Sequence, residues 1–151
     1  MIAKLWHFIV RIGVVSYLWL LRPRKRRIRG LIISNESVLL VKHVGGKNQW
    51  TLPGGGAHAD EKPYETLKRE IYEELKVEVK LQRDLGLMEV NRYGALTTYH
   101  ILESTTDDKN IKPDRWELRD AQWFSIHQLP GNCSQAVKTA LERHYKQKAS
   151  K

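Results

Sequence analysis

Three glutamates, Glu70, Glu73 and Glu74, follow one another at the i, i+3, i+4 spacing that makes helix side chains neighbours. The residues around them predict the helix itself. Pro63 stands where a first-turn proline belongs, and Tyr64, Leu67, Ile71 and Leu75 recur at helical spacing, so an amphipathic helix is predicted from Pro63 to Leu75. Its apolar stripe faces a core, and the three carboxylates crowd the flank beside that stripe. Like charges so close repel and raise one another's pKa unless a cation sits among them. An all-oxygen set suits Mg²⁺ or Mn²⁺, which accept a few carboxylates together with water and substrate phosphate oxygens. A solvated acidic helix face is the plainer reading of such a cluster taken alone, but the surrounding residues count against it.

Ahead of the helix runs Trp50-Thr51-Leu52-Pro53-Gly54-Gly55-Gly56, read here as a short apolar strand that stops in three glycines. Glycine lets backbone approach a ligand closely, so a phosphate could reach the main chain there. Glu61 and the run Arg69-Glu70-Ile71-Tyr72-Glu73-Glu74-Leu75-Lys76-Val77 complete the pattern. Gly55 through Val77 resembles the Nudix box, a 23-residue signature of pyrophosphate hydrolases, and departs from it at one defining position, where Lys76 replaces glycine. A glycine there ends the helix in a left-handed conformation, which costs lysine about 1 kcal/mol. The resemblance extends from about Ile28 to the C-terminal helix, because Glu117 to Phe124 followed by Leu129-Pro130 is similar to the strand and helix that close such domains.

The resemblance implies roles for particular residues. Glu70, Glu73 and Glu74 are the expected metal ligands, the Gly55 carbonyl is a further one, and Arg69 orients the glutamates. Glu61 is expected as structural support. The family places its general base on the helix in some members and on a later loop in others, which leaves Glu70 and Glu117 as candidates. Trp50 and Trp116 could stack on a base, although an aromatic at a strand end belongs more often to the core.

The implied fold is α/β, a Nudix-like α/β/α sandwich around a mixed β-sheet, preceded by an N-terminal apolar helix. The residue pattern agrees. Arg29 to Ser34 and Val38 to Val44 are apolar, β-branched runs separated by Ser34-Asn35-Glu36-Ser37, which predicts two strands joined by a tight turn. Val77 to Val90 and Ala95 to Glu103 supply further strands. From Ser134 to Lys148, apolar Ala136, Val137, Ala140, Leu141 and Tyr145 fall at helical spacing, with basic residues late in the run as a helix C-terminus favours. The polar stretch from Ser104 to Arg115 lacks periodicity and is the candidate for a mobile segment near the substrate, with a plain surface loop as the equal alternative. His58, inside the glycine-rich loop, is read as solvated.

Charge is unevenly placed within a total of +9. Residues 1–29 hold eight Lys/Arg and no acid, residues 30–137 hold thirteen against sixteen acids, and residues 138–151 hold five against one. A catalytic region that is itself slightly acidic argues against a broad nucleic-acid surface. The division predicted is therefore an apolar helix plus polybasic segment over 1–29 and a hydrolase domain over 30–151. The apolar stretch Met1 to Leu21 is interrupted by Arg11, which counts against spanning a bilayer. Trp6, Tyr17 and Trp19, next to the arginine cluster, fit a helix lying on an anionic membrane surface, with packing on the domain or a partner subunit as the alternative. Cys133 is the only cysteine, which excludes an internal disulfide and suits a reducing compartment. A cytoplasmic protein, peripheral at the inner face of a membrane, is the expectation.

The function expected is metal-dependent hydrolysis, with Mg²⁺ or Mn²⁺, of a nucleoside diphosphate linked to another group, a nucleoside triphosphate or similar small nucleotide. An RNA 5′-end pyrophosphohydrolase served by the basic tails is the alternative enzyme, and a non-catalytic nucleotide sensor the alternative of another class.

Overall fold

The computed structural model describes residues 26–92 and 95–150. The N-terminal helix expected over Met1 to Leu21 lies outside these residues. Five strands, β1 (Arg27–Ser34), β2 (Ser37–His43), β3 (Lys80–Arg92), β4 (Ala95–Thr105) and β5 (Leu118–Ser125), form one mixed sheet in the order β3-β4-β1-β2-β5. Only β1 and β4 run parallel; the other neighbours are antiparallel. The predicted tight turn joins β1 to β2, and its central residues Asn35 and Glu36 both have positive φ, 45° and 58°, as a two-residue hairpin requires.

Helix α1 (Pro63–Leu75) covers one face of the sheet and α2 (Gln135–Ala149) the other. Strand alternation divides the core between them. Ile28, Ile32, Leu39, Val41 and Leu102 meet Leu67, Ile71 and Leu75 of α1. Leu31, Leu40, Tyr99 and Ile101 meet Ala136, Val137, Ala140 and Leu141 of α2. Gly30 faces α1, where a Cβ would strike Leu67; the missing side chain lets the helix sit directly on β1.

Four expectations are corrected. Trp50 to Gly56 is not a strand: isolated bridges at Trp50, Thr51 and Gly56 tie it down, since Pro53 and the glycines cannot sustain a ladder. Tyr145 is 42% exposed, and His144 takes the buried place on α2 beside Glu103 and Arg83. Arg29, counted with the basic segment, is buried in β1. The loop after β4, the candidate mobile segment, is fastened to α1: the Lys112 and Asp114 N–H groups donate to the Leu75 and Glu74 carbonyls, each at 2.8 Å. Helix termini leave such carbonyls without partners, and this loop satisfies two of them.

Candidate active site

Both ends of α1 are fixed, and that fixes its acidic flank. At the start, Lys62 occupies the N-cap with extended backbone and its N–H donates to Glu65 at 3.1 Å, the reciprocal half of a capping box. At the end, Lys76 adopts the left-handed conformation, φ 58° and ψ 33°, and its N–H reaches Tyr72 O at 3.0 Å. The geometry that the family assigns to glycine is thus held by lysine. The Lys76 ammonium also donates to Glu73 O at 3.2 Å, which offsets part of the strain.

Arg69 is the hub of the flank. Its Nε and Nη2 grip both oxygens of Glu61 at 2.8 and 3.0 Å, while Nη1 donates to Glu70 and Glu73, each at 3.0 Å. The bidentate bond from Arg69 pulls the Glu61 carboxyl down to about 2 against a smaller opposing effect of burial, and the same bond raises the guanidinium further. Glu61 also accepts from His58 N and the Thr66 hydroxyl, so it organises the entry to α1 as expected. His58 itself is exposed.

Glu74 is only 2% exposed. Burial pushes its carboxyl up to about 7, against the charge of Arg29 and a hydrogen bond from Gly54 N at 3.0 Å; Glu70 and Glu117 push it the same way as burial. Arg29 also donates to the Gly54 carbonyl, so this buried arginine braces the glycine turn and faces Glu74 at once. Arg29 was missed as a site residue, although a charge inside an apolar strand run was the available signal. Glu117 stands just before β5, where the docked loop brings it to α1. Partial burial raises its carboxyl, and the charges of Glu70, Asp114 and Glu73 add to that.

The glycine turn makes the close approach the sequence suggested. Gly54 has φ 121°, and a Cβ at Gly55 would fall onto the Glu70 carboxylate. The Gly55 carbonyl accepts from Ile28 N at 2.9 Å, which leaves its second lone pair available. Trp50 is 6% exposed and packs edge-on against Phe124 at 4.7 Å, so it belongs to the core; Trp116, 91% exposed, stands beside Glu117 in the open.

Glu70, Glu73, Glu117, Arg69 and Gly56 line one end of an open cleft of about 1690 Å³, whose walls include Arg26 and Arg27. Among the described residues no three carboxylate, imidazole or thiol groups converge on one point. Arg69 holds Glu70 and Glu73, and Glu74 is turned onto Gly54 N. The chemistry of the donors nevertheless fits a hard cation: they are oxygen-only, and the carboxylates crowd one another, since besides burial Glu70 and Glu117 raise the Glu74 carboxyl and Glu70 and Glu73 raise that of Glu117.

The NUDIX domain family model matches residues 24–147. The chain belongs to this family. Diphosphoinositol polyphosphate phosphohydrolase NUDT4B of Homo sapiens is 37% identical over 98 residues, an alignment covering 60% of this chain and 51% of that protein. Diphosphoinositol polyphosphate phosphohydrolase 3-alpha of Mus musculus is 35% identical over 92 residues, 60% of this chain and 56% of that one. This Nudix chain therefore spans about half the length of these relatives. Solved structures share the fold: a MutT protein from Methanosarcina mazei superposes with a TM-score of 0.72 at 18% identity, covering 85% of this chain and 97% of that one. A UDP-X diphosphatase gives 0.66 at 24%, covering 89% and 72%.

Proposed function

We propose that the protein hydrolyses a phosphoric anhydride bridge in a small phosphorylated substrate and requires a divalent cation, Mg²⁺ or Mn²⁺. The observation that carries this reading is the Arg69 hub, which holds Glu70 and Glu73 at the mouth of the cleft with Glu74 behind them and Glu117 facing them. Glu70, Glu73, Glu74 and the Gly55 carbonyl would hold the cation, which when bound offsets the negative charge that develops on the phosphoryl oxygens.

The residues of the chain do the rest. Arg69 fixes the carboxylates of Glu70 and Glu73, so no reorganisation is needed as charge shifts. Glu70 or Glu117 takes the proton of the attacking water, and the raised affinity of Glu117 for a proton suits that task. The glycine turn leaves room for a phosphate against the main chain, and Arg26 and Arg27 add positive charge to the same cleft.

For the substrate, a nucleoside diphosphate linked to another group is the first reading. The names of the relatives supply the second, a diphosphoinositol polyphosphate. RNA ends are a third, separable by a steep dependence of affinity on salt. The left-handed Lys76 leaves the carboxylates in place, which weighs against a non-catalytic sensor. A panel of nucleoside triphosphates, nucleotide sugars and a diphosphoinositol polyphosphate, incubated with Mg²⁺, with Mn²⁺ and with chelator and with products separated by chromatography, tests the proposal: metal-dependent cleavage of the anhydride of at least one, to phosphate, pyrophosphate or a pair of phosphomonoesters, is expected, and cleavage of none would overturn it.

A further inference from the structure

Residues 1–25 join the described domain within the cleft. The Arg26 carbonyl accepts from Ala57 N at 3.0 Å, and Arg27 bridges Gly56 on one side and lies beside Tyr99 of β4 on the other. The chain therefore enters β1 between the glycine turn and the first residues of β4. That part of the sheet is apolar and open. Leu87 lies opposite His100 and Leu96 opposite Asn91, and along the two strands these leucines alternate with Met88, Tyr99 and Ile101, which are buried on the α2 side. They face the α1 side, where they line the cleft and remain 64% and 63% exposed. Four residues of strand at about 3.3 Å each set the two rows roughly 13 Å apart, about the width of one helix.

Charge and reach point to the chain's own N-terminal segment as the occupant. Five carboxylates, Glu70, Glu73, Asp84, Glu89 and Glu117, line the cleft against Arg26, Arg27 and Arg69, so it stays acidic with both N-terminal arginines counted. Residues 1–25 carry five Lys/Arg and no acid. At helical spacing Lys4, His7 and Arg11 share one face, and Ile2, Trp6, Ile9 and Leu20 fall on the opposite one. Pro23 disfavours helix at Arg22, so a helix over Met1 to Leu21 ends there. The five steps from Leu21 to Arg26 then span at most about 17 Å, which lets the chain reverse but keeps the end of the helix at the cleft.

We infer that the segment Met1 to Leu21 folds back over Leu87 and Leu96 and closes the mouth of the cleft, and that an anionic membrane surface draws it off. Docked, its apolar face covers the two leucines and its basic residues meet the acidic lining. A bilayer offers the same face a larger apolar surface and the same basic residues a denser negative charge. Packing on the domain and lying on a membrane are then two positions of one element. The closure of the site rests on the hydrolase reading above; the contact itself does not.

The contact is tested in the full chain with a benzophenone amino acid in place of Leu96. Illumination should join it to a peptide within Met1 to Leu21 of the same chain; a covalent dimer, a bond to any other peptide, or no bond would overturn the inference. Vesicles of phosphatidylcholine and phosphatidylserine should lower the yield about fivefold or more, and phosphatidylcholine alone less than about twofold; equal yields would overturn the release. Leu87→Ser combined with Leu96→Ser should speed tryptic cleavage after Arg11 about tenfold at unchanged Tm, and an unchanged rate would overturn the contact. Activity reads the closure separately. A segment docked about nine-tenths of the time raises KM about tenfold, so the anionic vesicles should lower KM for the best substrate by about that factor at saturating Mg²⁺, with kcat little changed. A KM that the vesicles leave unmoved would overturn the closure and leave the hydrolase reading intact. If no substrate is cleaved, the hydrolase reading fails, and the crosslink and the tryptic rates alone decide the contact.

Discussion

Replacing Glu74 by glutamine should stabilise the metal-free protein, and should do so only where the carboxylate would ionise. Glu74 is 2% exposed and its carboxyl stands at about 7 in the fold against 4.5 for a free side chain, chiefly because burial disfavours the charge. Below pH 4.5 the group is protonated in both states and contributes nothing. Between pH 4.5 and 7 the unfolded chain ionises while the folded one keeps its proton, so stability falls as pH rises, and above pH 7 the loss is complete. At 1.36 kcal/mol per pKa unit the loss is about 3 kcal/mol. Glutamine has the same shape and can still accept from Gly54 N, so Glu74→Gln should remove this loss. For a chain of this size the difference corresponds to roughly 6–12 °C in melting temperature. The assay is thermal unfolding of parent and variant in chelator at pH 4 and pH 8: a gap that opens in favour of the variant between the two is expected. Mg²⁺ should then raise the parent's melting temperature at pH 8 more than the variant's. Curves that stay parallel across pH would refute the buried, uncompensated carboxylate.

Other consequences follow from single positions. Lys76→Gly should stabilise by about 1 kcal/mol in denaturant unfolding, since lysine holds a left-handed conformation there; a lower midpoint would mean that its bond to Glu73 O outweighs the strain. Gly55→Ala should cut turnover while leaving the melting temperature nearly unchanged, because the new methyl group displaces the Glu70 carboxylate and little else. The segment 1–25, with Arg22, Arg24 and Lys25 after its apolar run, should bind anionic liposomes in a way that weakens but does not vanish with salt; co-sedimentation of the full chain and of a chain beginning at Arg26 checks this, and equal behaviour would contradict it.

What could be read from the sequence was what side-chain periodicity writes. The helix over Pro63 to Leu75 came out with the boundaries the residues implied, because a first-turn proline and a regular apolar stripe mark both its limits and its buried face. The Ser34 to Ser37 turn and the paired strands were legible for the same reason. The loop from Thr106 to Glu117 was not, because it is fixed to α1 through backbone N–H groups, and those have no residue signature. The bond between Asp84 and His100 was hidden by register: β3 shifts its pairing between Asp84 and Gly86, and neither residue carries a motif that shows it. Arg29 could have been noticed. A charge within an apolar strand needs a buried partner, and here it has the glycine turn and Glu74.

Whether the acidic flank of α1 supports metal-dependent hydrolysis of an anhydride is decided by measuring cleavage of the best substrate, its products separated by chromatography, by the parent chain and by Glu73→Gln, each with Mg²⁺ and with chelator. The Glu73 side chain is 56% exposed and shares its ion pair with Arg69, so its loss should cost little stability. The parent should be active only with the cation, and Glu73→Gln should lose about 100-fold in turnover, about 2.7 kcal/mol of transition-state stabilisation, at an unchanged melting temperature. Equal cleavage with and without chelator, or full turnover by Glu73→Gln, would contradict this.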